Sequence, residues 1–490
     1  MKLKRPALLL TAGLLLRLGI TTLAWAGPPD NLRACWNQQA KPMQTQYVSF
    51  PYRETLAKLE HSFQPWQQTA YTGAGRVWTN ATGFAKSDTL RKGAATYFSQ
   101  TQFTGATLLF QDYGDKELSS VTTAAFQEYA VQAARYAPGL LIQHFYGRHI
   151  APDPESTPAL TVYKATVNRV LVRLFIRTAD NQLSKVTSLH HDELFGDVTT
   201  TYSYRDYARL GKLVYPRTIV IESINGKLTD TVTIGAAAVA ATAPVLLTAP
   251  AGYALAPETA AKPETTVEQF RPRLHLLNLK HTDDRVLVVE FDTFLLVAEA
   301  PLNSENGELI IGAARRIAPG KPIRYFVAGH YHPHYLGGVR PFVHKGATVL
   351  TTAADLPYVQ YLAAAPHTLQ PDSLQRQPRP LRTEEIVNRK TIAEGAFRME
   401  IYVIGSQSQH TNDYLIYYFP TEKILFQDDL VWIAKQGEPR KASARQAGLY
   451  HAVLALGLDV QTIVQSWPVR DYGVKTIIPF SELQESMSVK

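Results

Sequence analysis

The stretch Val327–Phe342, VAGHYHPHYLGGVRPF, carries three histidines, His330, His332 and His334, each two residues from the next. In extended backbone, side chains i and i+2 share a face, so His330 and His332 can offer both rings to one ion. An H-x-H pair alone is also what two histidines on a surface turn look like, so the weight falls on a second motif downstream. In IGSQSQHTNDYLIYYFPTEKILFQDDLVW, His410 is expected at a strand end, and a hairpin then delivers Asp428-Asp429 to the end of a second strand. Imidazole and carboxylate are the ligand types that suit zinc. His334 adds a further ring, although Pro333 restricts the backbone before it. Tyr335 offers a hydroxyl that can donate to a developing oxyanion.

Three neutral imidazoles and a water form a tetrahedral zinc site with an open catalytic position. A shared site would draw on His330, His332, His410 and the Asp428-Asp429 pair. Zinc is the expected cofactor.

These residues need elements to hold them. RVLVVEFDTFLLVAEAP reads as two short buried strands, GELIIGAARRIAP as a helix, and IRYFVAG as a buried strand that runs into the histidines. GATVLTTAADLPYVQYLA gives another strand and helix. This rhythm predicts layered structure with sheets covered by helices, and His330 and His332 fall at the C-terminal end of a strand, where such folds place their sites. Upstream, residues from about 60 to 235 alternate with period two and predict an antiparallel β domain. Asn225-Gly226 marks a hairpin, and AAFQEYAVQAARYAP a helical insertion. Adjacent residues on a strand face opposite sides, so His190 and His191 are expected to be ordinary strand histidines rather than a chelating pair. The Ala-, Pro- and Thr-rich stretch 236–268 is the boundary region.

The C-terminal motifs resemble the metallo-β-lactamase-fold hydrolases over roughly residues 272–490. That family carries H-x-H-x-D-H followed by Gly-Gly, then a His before a strand pair ending in Asp-Leu, then a terminal Pro-x-His-Gly. HYHPHYLGG, QHTNDYLIYYFPTEKILFQDDL and GLDVQTIVQSWP come in that order. The resemblance implies an αββα sandwich and a first metal site of His330, His332 and His410, with Asp429 at the carboxylate that bridges two ions. Asp429 is then a fourth ligand or the acceptor that orients a nucleophilic water, and Asp429, His334 and Tyr335 are the expected catalytic groups around one zinc ion. The second set is lost: its positions hold His334, Tyr335 and, depending on alignment, Trp467 or Ser481. Erosion at random would not spare every ligand of one ion and remove every ligand of the other, which favours a mono-zinc hydrolase acting on an ester, thioester, lactone or amide. The alternative is a non-catalytic binding protein for an apolar or peptide ligand, a pseudoenzyme with a degenerate site. The N-terminal strands resemble, more weakly, lipoprotein-carrier-like half-barrels.

The whole chain bounds the rest. At 490 residues, 45% hydrophobic and 19% charged, it suits two globular domains. The class expected is α+β: a segment 1–26, a β-rich domain over 27–255, a linker over 256–270 and the metallo-β-lactamase-like domain over 271–490. MKLKR, an apolar run broken by Arg17, and Ala24-Trp25-Ala26 read as a cleavable export signal, so a periplasmic or secreted protein without a transmembrane segment is expected. Removal of Lys2, Lys4, Arg5 and Arg17 takes the formal charge from +8 to +4. The remaining basic residues form no stripe, which excludes a nucleic-acid binder. A lone Cys35 excludes an internal disulfide, and its place beyond the apolar run argues against a lipid anchor. The expected partner is a small-molecule substrate or an apolar ligand.

Overall fold

The computed structural model describes residues 30–489 apart from 60–61, 105–106, 113–116, 123–130, 132, 149, 168–169, 241–253, 256–261 and 471. The segment expected to be an export signal, and most of the helical insertion read at 124–138, lie outside these residues. The described end of that insertion is a 3-10 turn, Ala133–Arg135, followed by a helix over Gly139–Phe145. Among the described residues no helix is long and apolar enough to cross a membrane.

Residues 47–255 build one sheet of 14 strands. Its central strand, Tyr47–Leu59, pairs along nearly its whole length with Gln68–Thr79 on one side, and on the other through Tyr52–Thr55 with Leu228–Ile234 and through Tyr47–Ser49 with Ala238–Ala240. From there the sheet runs outward in antiparallel hairpins in both directions, with Ala254–Leu255 added in parallel at one edge. Val170–Arg177 alternates buried and half-buried positions without a break, as period-two patterning requires. Asn225 and Gly226 both take positive φ, 55° and 84°, at the turn into Leu228–Ile234. The helices Asp30–Gln39 and Gly139–Phe145 bury Leu32, Cys35, Leu141 and Phe145 against strand residues such as Val172, Leu174 and Ile219. A charged cluster sits inside this core: Arg135 reaches Glu54 at 3.1 Å and Asp230 at 2.8 Å.

Residues 265–479 form two further sheets, of seven and six strands. One apolar cluster joins Val289, Leu296 and Leu350 of the first to Met399, Ile401 and Phe426 of the second. The opposite face of the seven-stranded sheet packs on Ser304–Ile317, Val339–Lys345 and Leu356–Ala364. The six-stranded sheet packs its opposite face on Ala444–Ala455 and Phe480–Ser488. Sequence sets these helices locally. Asn303 caps the first by accepting from the Asn306 amide, and Ser443 with Gln446 makes a capping box on another. The molecule is β-rich with mainly antiparallel pairing, consistent with the α+β class expected. Leu295–Ala298, Ile323–Val327 and Thr348–Thr351 run parallel, so their C-terminal ends open on one edge. The chain's chemistry gathers at that edge.

The large sheet docks on this edge through specific contacts. Asp197 accepts from the Thr368 amide and hydroxyl and from the Leu369 amide. Trp66 and Phe195 pack on Tyr358 and Tyr361 with ring centroids 4.9–6.5 Å apart. The tip of the Tyr47–Leu59/Gln68–Thr79 hairpin reaches further, and the Phe63 carbonyl accepts from the Asn412 amide at 2.8 Å.

Candidate metal centre

Strand Ile323–Val327 ends three residues before His330, and His332 caps the short helical turn Pro333–Leu336. His410 follows the 3-10 turn Gly405–Ser408, where the Ser408 hydroxyl oxygen accepts from the His410 and Thr411 amides. It lies seven residues past strand Phe397–Val403, so it is held by a turn and not by the strand end that the pattern suggested. Asp428 and Asp429 do come directly after strand Ile424–Gln427. The hydroxyl of Tyr414 fixes them: its oxygen accepts from both of their amides at 3.0 and 3.1 Å, and it donates to Asp429 Oδ1 at 3.2 Å.

His330, His332 and His410 each offer a ring nitrogen within 4.8 Å of the others, and all three are buried. His332 Nε2 lies 3.3 Å from the Ser62 carbonyl. A carbonyl only accepts, so Nε2 carries the proton and Nδ1 presents a lone pair. His330 Nδ1 lies 2.7 Å from Asp428 Oδ2. Donation to that carboxylate leaves the His330 Nε2 lone pair facing His332 Nδ1 at 2.9 Å. With Asp428 ionised these two lone pairs call for a cation beside them; with Asp428 protonated, His330 Nε2 carries the proton and donates to His332 Nδ1. His410 Nε2 comes within 3.0 Å of Asp429 Oδ2 without the alignment of a hydrogen bond. These are the features of a metal site in which outer carboxylate and carbonyl groups orient the rings.

The charges agree. Glu299, Asp428 and Asp429 are all buried, with Arg445 3.2 Å from Asp429 Oδ2. Burial, reinforced by the nearby charge of Asp429, pushes the Glu299 carboxyl up to about 8, and burial together with the charge of Glu299 pushes Asp428 well above the usual range. Burial opposes ionisation of Asp429 too, but the His410 ring and the Arg445 guanidinium hold it below the ordinary carboxylate value. A bound cation would relieve this crowding of acids. The residues present therefore fit a metal ion: three imidazoles as ligands, and Asp429 as a fourth or as its neighbour.

Gly329 belongs to the same construction. A Cβ there would lie 2.2 Å from Asp428 Oδ2, and its amide donates to Glu299 Oε1 at 3.2 Å. Glu299 itself sits at φ 84°, a conformation costly for a residue with a side chain. Tyr417 donates to the same Glu299 oxygen at 3.1 Å.

The other residues singled out in the sequence divide. Tyr335 packs its ring 4.4 Å from that of His330, fully buried, with no hydrogen-bond partner for its hydroxyl among the described residues. His334 does not join the triad. Its ring lies 5.2 Å from Trp467, with Nδ1 3.5 Å from Asp284, because it sits in the helical turn Pro333–Leu336, beyond the strand that ends at Val327. Trp467 thus stands near the altered motif, whereas Ser481 is an exposed residue of helix Phe480–Ser488. His191 packs on His367 with centroids 5.5 Å apart, at the junction of the two parts. Glu299, Asp428, Tyr414, Arg445 and Ser62 were not identified as site residues; the Asp428-Asp429 doublet and the Glu that closes LLVAE were the available signals.

No protein-family model matches the sequence, and no curated protein does. Solved structures similar to the chain are metallo-β-lactamase-fold proteins. One is a metallo-β-lactamase from Pontibacter korlensis, 16% identical over 46% of this chain and 98% of that one, with a TM-score of 0.34. Another is the DIM-1 metallo-β-lactamase, 17% identical over 46% and 96%, TM-score 0.33. A flavo-diiron protein from Thermotoga maritima is 11% identical over 46% of this chain and 62% of its own, TM-score 0.33.

Proposed function

We propose that this chain is an exported hydrolase of the metallo-β-lactamase fold that holds one zinc ion and activates water against the carbonyl of an ester, thioester, lactone or amide. The observation that carries the reading is the convergence of His330 Nε2 and His332 Nδ1 at 2.9 Å beside His410, with the far nitrogens of the first two engaged by Asp428 and Ser62. Zinc in such a site lowers the pKa of water to about 7 and polarises a carbonyl. Asp429, kept ionised beside His410 and Arg445, orients the attacking water and takes its proton. The buried Tyr335 hydroxyl, without a partner among the described residues, donates to a developing oxyanion beside His330.

One observation favours a second reading, a binding protein with a closed site. The triad is only 1–3% exposed, and the Ser62 carbonyl lies against it. Metal content and variants separate the two. The mature protein should carry about one zinc per chain, and His332→Ala and His410→Ala should each lose it, since two imidazoles hold zinc poorly. Asp429→Asn should keep the metal and lower hydrolysis by roughly 10²–10⁴. A protein that takes up no zinc on refolding in excess metal would end the hydrolase reading.

A further inference from the structure

Between the large sheet and the metal-site edge lies a crevice of about 530 Å³. The large sheet contributes Leu59, Trp66, Leu194 and Ile224, and the other side contributes Leu302 and Tyr358. Its floor reaches His332, a member of the triad, and Ser62, whose carbonyl engages that ring. Among the described lining residues only Lys58 carries a full charge, and none is a carboxylate. A second ammonium stands beside it: Lys227 Nζ lies 4.8 Å from the centre of the Trp66 ring. The volume lies in the range of small-molecule sites, and an apolar wall with a few convergent polar groups is their usual composition.

We propose that this crevice is the acyl site of the enzyme, seating an unbranched chain of roughly ten carbons whose carbonyl lies at His332. The inference deepens the hydrolase reading and rests on it for the reaction, not for the binding. A methylene takes up about as much room as the ~30 Å³ share of a water in the liquid, so roughly ten fill somewhat over half of the crevice and leave room for the carbonyl and a water. Straight-chain carbon suits a slot walled by Leu194, Ile224, Leu302 and the faces of Trp66 and Tyr358. Lysine and no acid at the rim suits a neutral ester or its anionic acid, and rejects a cationic amphiphile. In hydrolysis the water oxygen bonds to the acyl carbon, the bond to the leaving oxygen breaks, one proton of the water passes to that oxygen and the other is released to solvent as the acid ionises; the carboxylate left behind keeps the same chain contacts. The large sheet is then not an appendage: its hairpin tip and its Leu194 and Ile224 turns form one wall of the site. No single unit contains the whole crevice.

The product makes a probe that needs no turnover. Calorimetric titration of the full chain with hexanoate and decanoate should show decanoate binding about 200-fold tighter, as four more buried methylenes imply. Leu194→Trp and Ile224→Trp, which place bulk in the slot, should each weaken decanoate binding tenfold or more in protein whose thermal unfolding is unchanged. Equal affinity for the two acids overturns the proposal, and so does a decanoate affinity that folded tryptophan variants leave intact. Turnover separates this from the parent reading. Chain-length-dependent binding without zinc-dependent cleavage of 4-nitrophenyl decanoate keeps the crevice as an apolar-ligand site and removes the hydrolase. Cleavage of acetyl and decanoyl esters with equal KM keeps the hydrolase and removes the acyl site.

Discussion

Gly329→Ala touches no metal ligand, yet it should be among the most damaging single-atom changes in the molecule. The added Cβ would lie 2.2–2.6 Å from three atoms of the Asp428 carboxyl group. Ordinary contact starts near 3.4 Å, so the carboxyl must retreat by about 1 Å, a shift a packed core resists at roughly 1–3 kcal/mol. Retreat breaks its 2.7 Å contact with His330 Nδ1. Loss of such a partner typically weakens metal binding 10–100-fold. Zinc affinity, measured by competition with a chromophoric chelator, should fall by that factor and Tm should fall with it. Asp428→Ala should weaken zinc similarly, by removing the same hydrogen bond. In the double variant the clash is gone and the bond is already lost, so Gly329→Ala should cost little more. That non-additivity is the signature of the mechanism. Zinc affinity unchanged in Gly329→Ala, or two effects that simply add, would refute the claim that Asp428 orients His330.

Other parts of the structure lead to three further outcomes. Asp372, 2.6 Å from Arg340, is held down to about 2, because the guanidinium outweighs the burial that would raise it. Its contribution is present above the unfolded value and lost as pH falls from about 4 through about 2, and the shift is worth about 2 kcal/mol. Urea unfolding of Asp372→Asn should therefore show a loss of that size at pH 7 and a flatter acid limb. Arg135→Met leaves Glu54 and Asp230 facing each other without their shared partner, and should cost roughly 3 kcal/mol or more in the same assay. Tyr335→Phe removes a buried hydroxyl that has no partner among the described residues. It should raise Tm slightly and leave zinc in place while lowering kcat; an unchanged kcat would take Tyr335 out of the chemistry.

How far the sequence could be read depends on the range of each interaction. Strand and helix patterns such as IRYFV and GELIIGAARRI are local, and the structure places a strand at Ile323–Val327 and a helix at Ser304–Ile317. The H-x-H pair could be found by its spacing, but the strand ends at Val327 and bends run from Gly329 to His332, so the two rings meet at one point without the extended backbone that alternation assumes. Pro333 then starts a helical turn, and His334 leaves the face that alternation assigned to it. His410 could be paired with the others through the order of the motifs, but not its support, since the turn at Gly405–Ser408 carries no hydrophobic period. The contacts that set ring tautomers were out of reach altogether. Ser62 meets His332 across 270 positions, and Asp428 meets His330 across 98. Neither pairing leaves a spacing that can be read along the chain.

The Ser62 contact has the wider consequence, because it couples two functions of one hairpin tip. Its carbonyl fixes the His332 tautomer that a metal at the triad would require, and the same tip covers the ring that the proposed substrate would approach. A group that both completes and closes a site cannot simply be removed to open it. Access has to come along the crevice, where His332 is already part of the lining together with Leu194 and Tyr358. The architecture therefore favours a substrate that enters lengthwise between the two parts, with its apolar end held by the large sheet and its polar end brought to the metal.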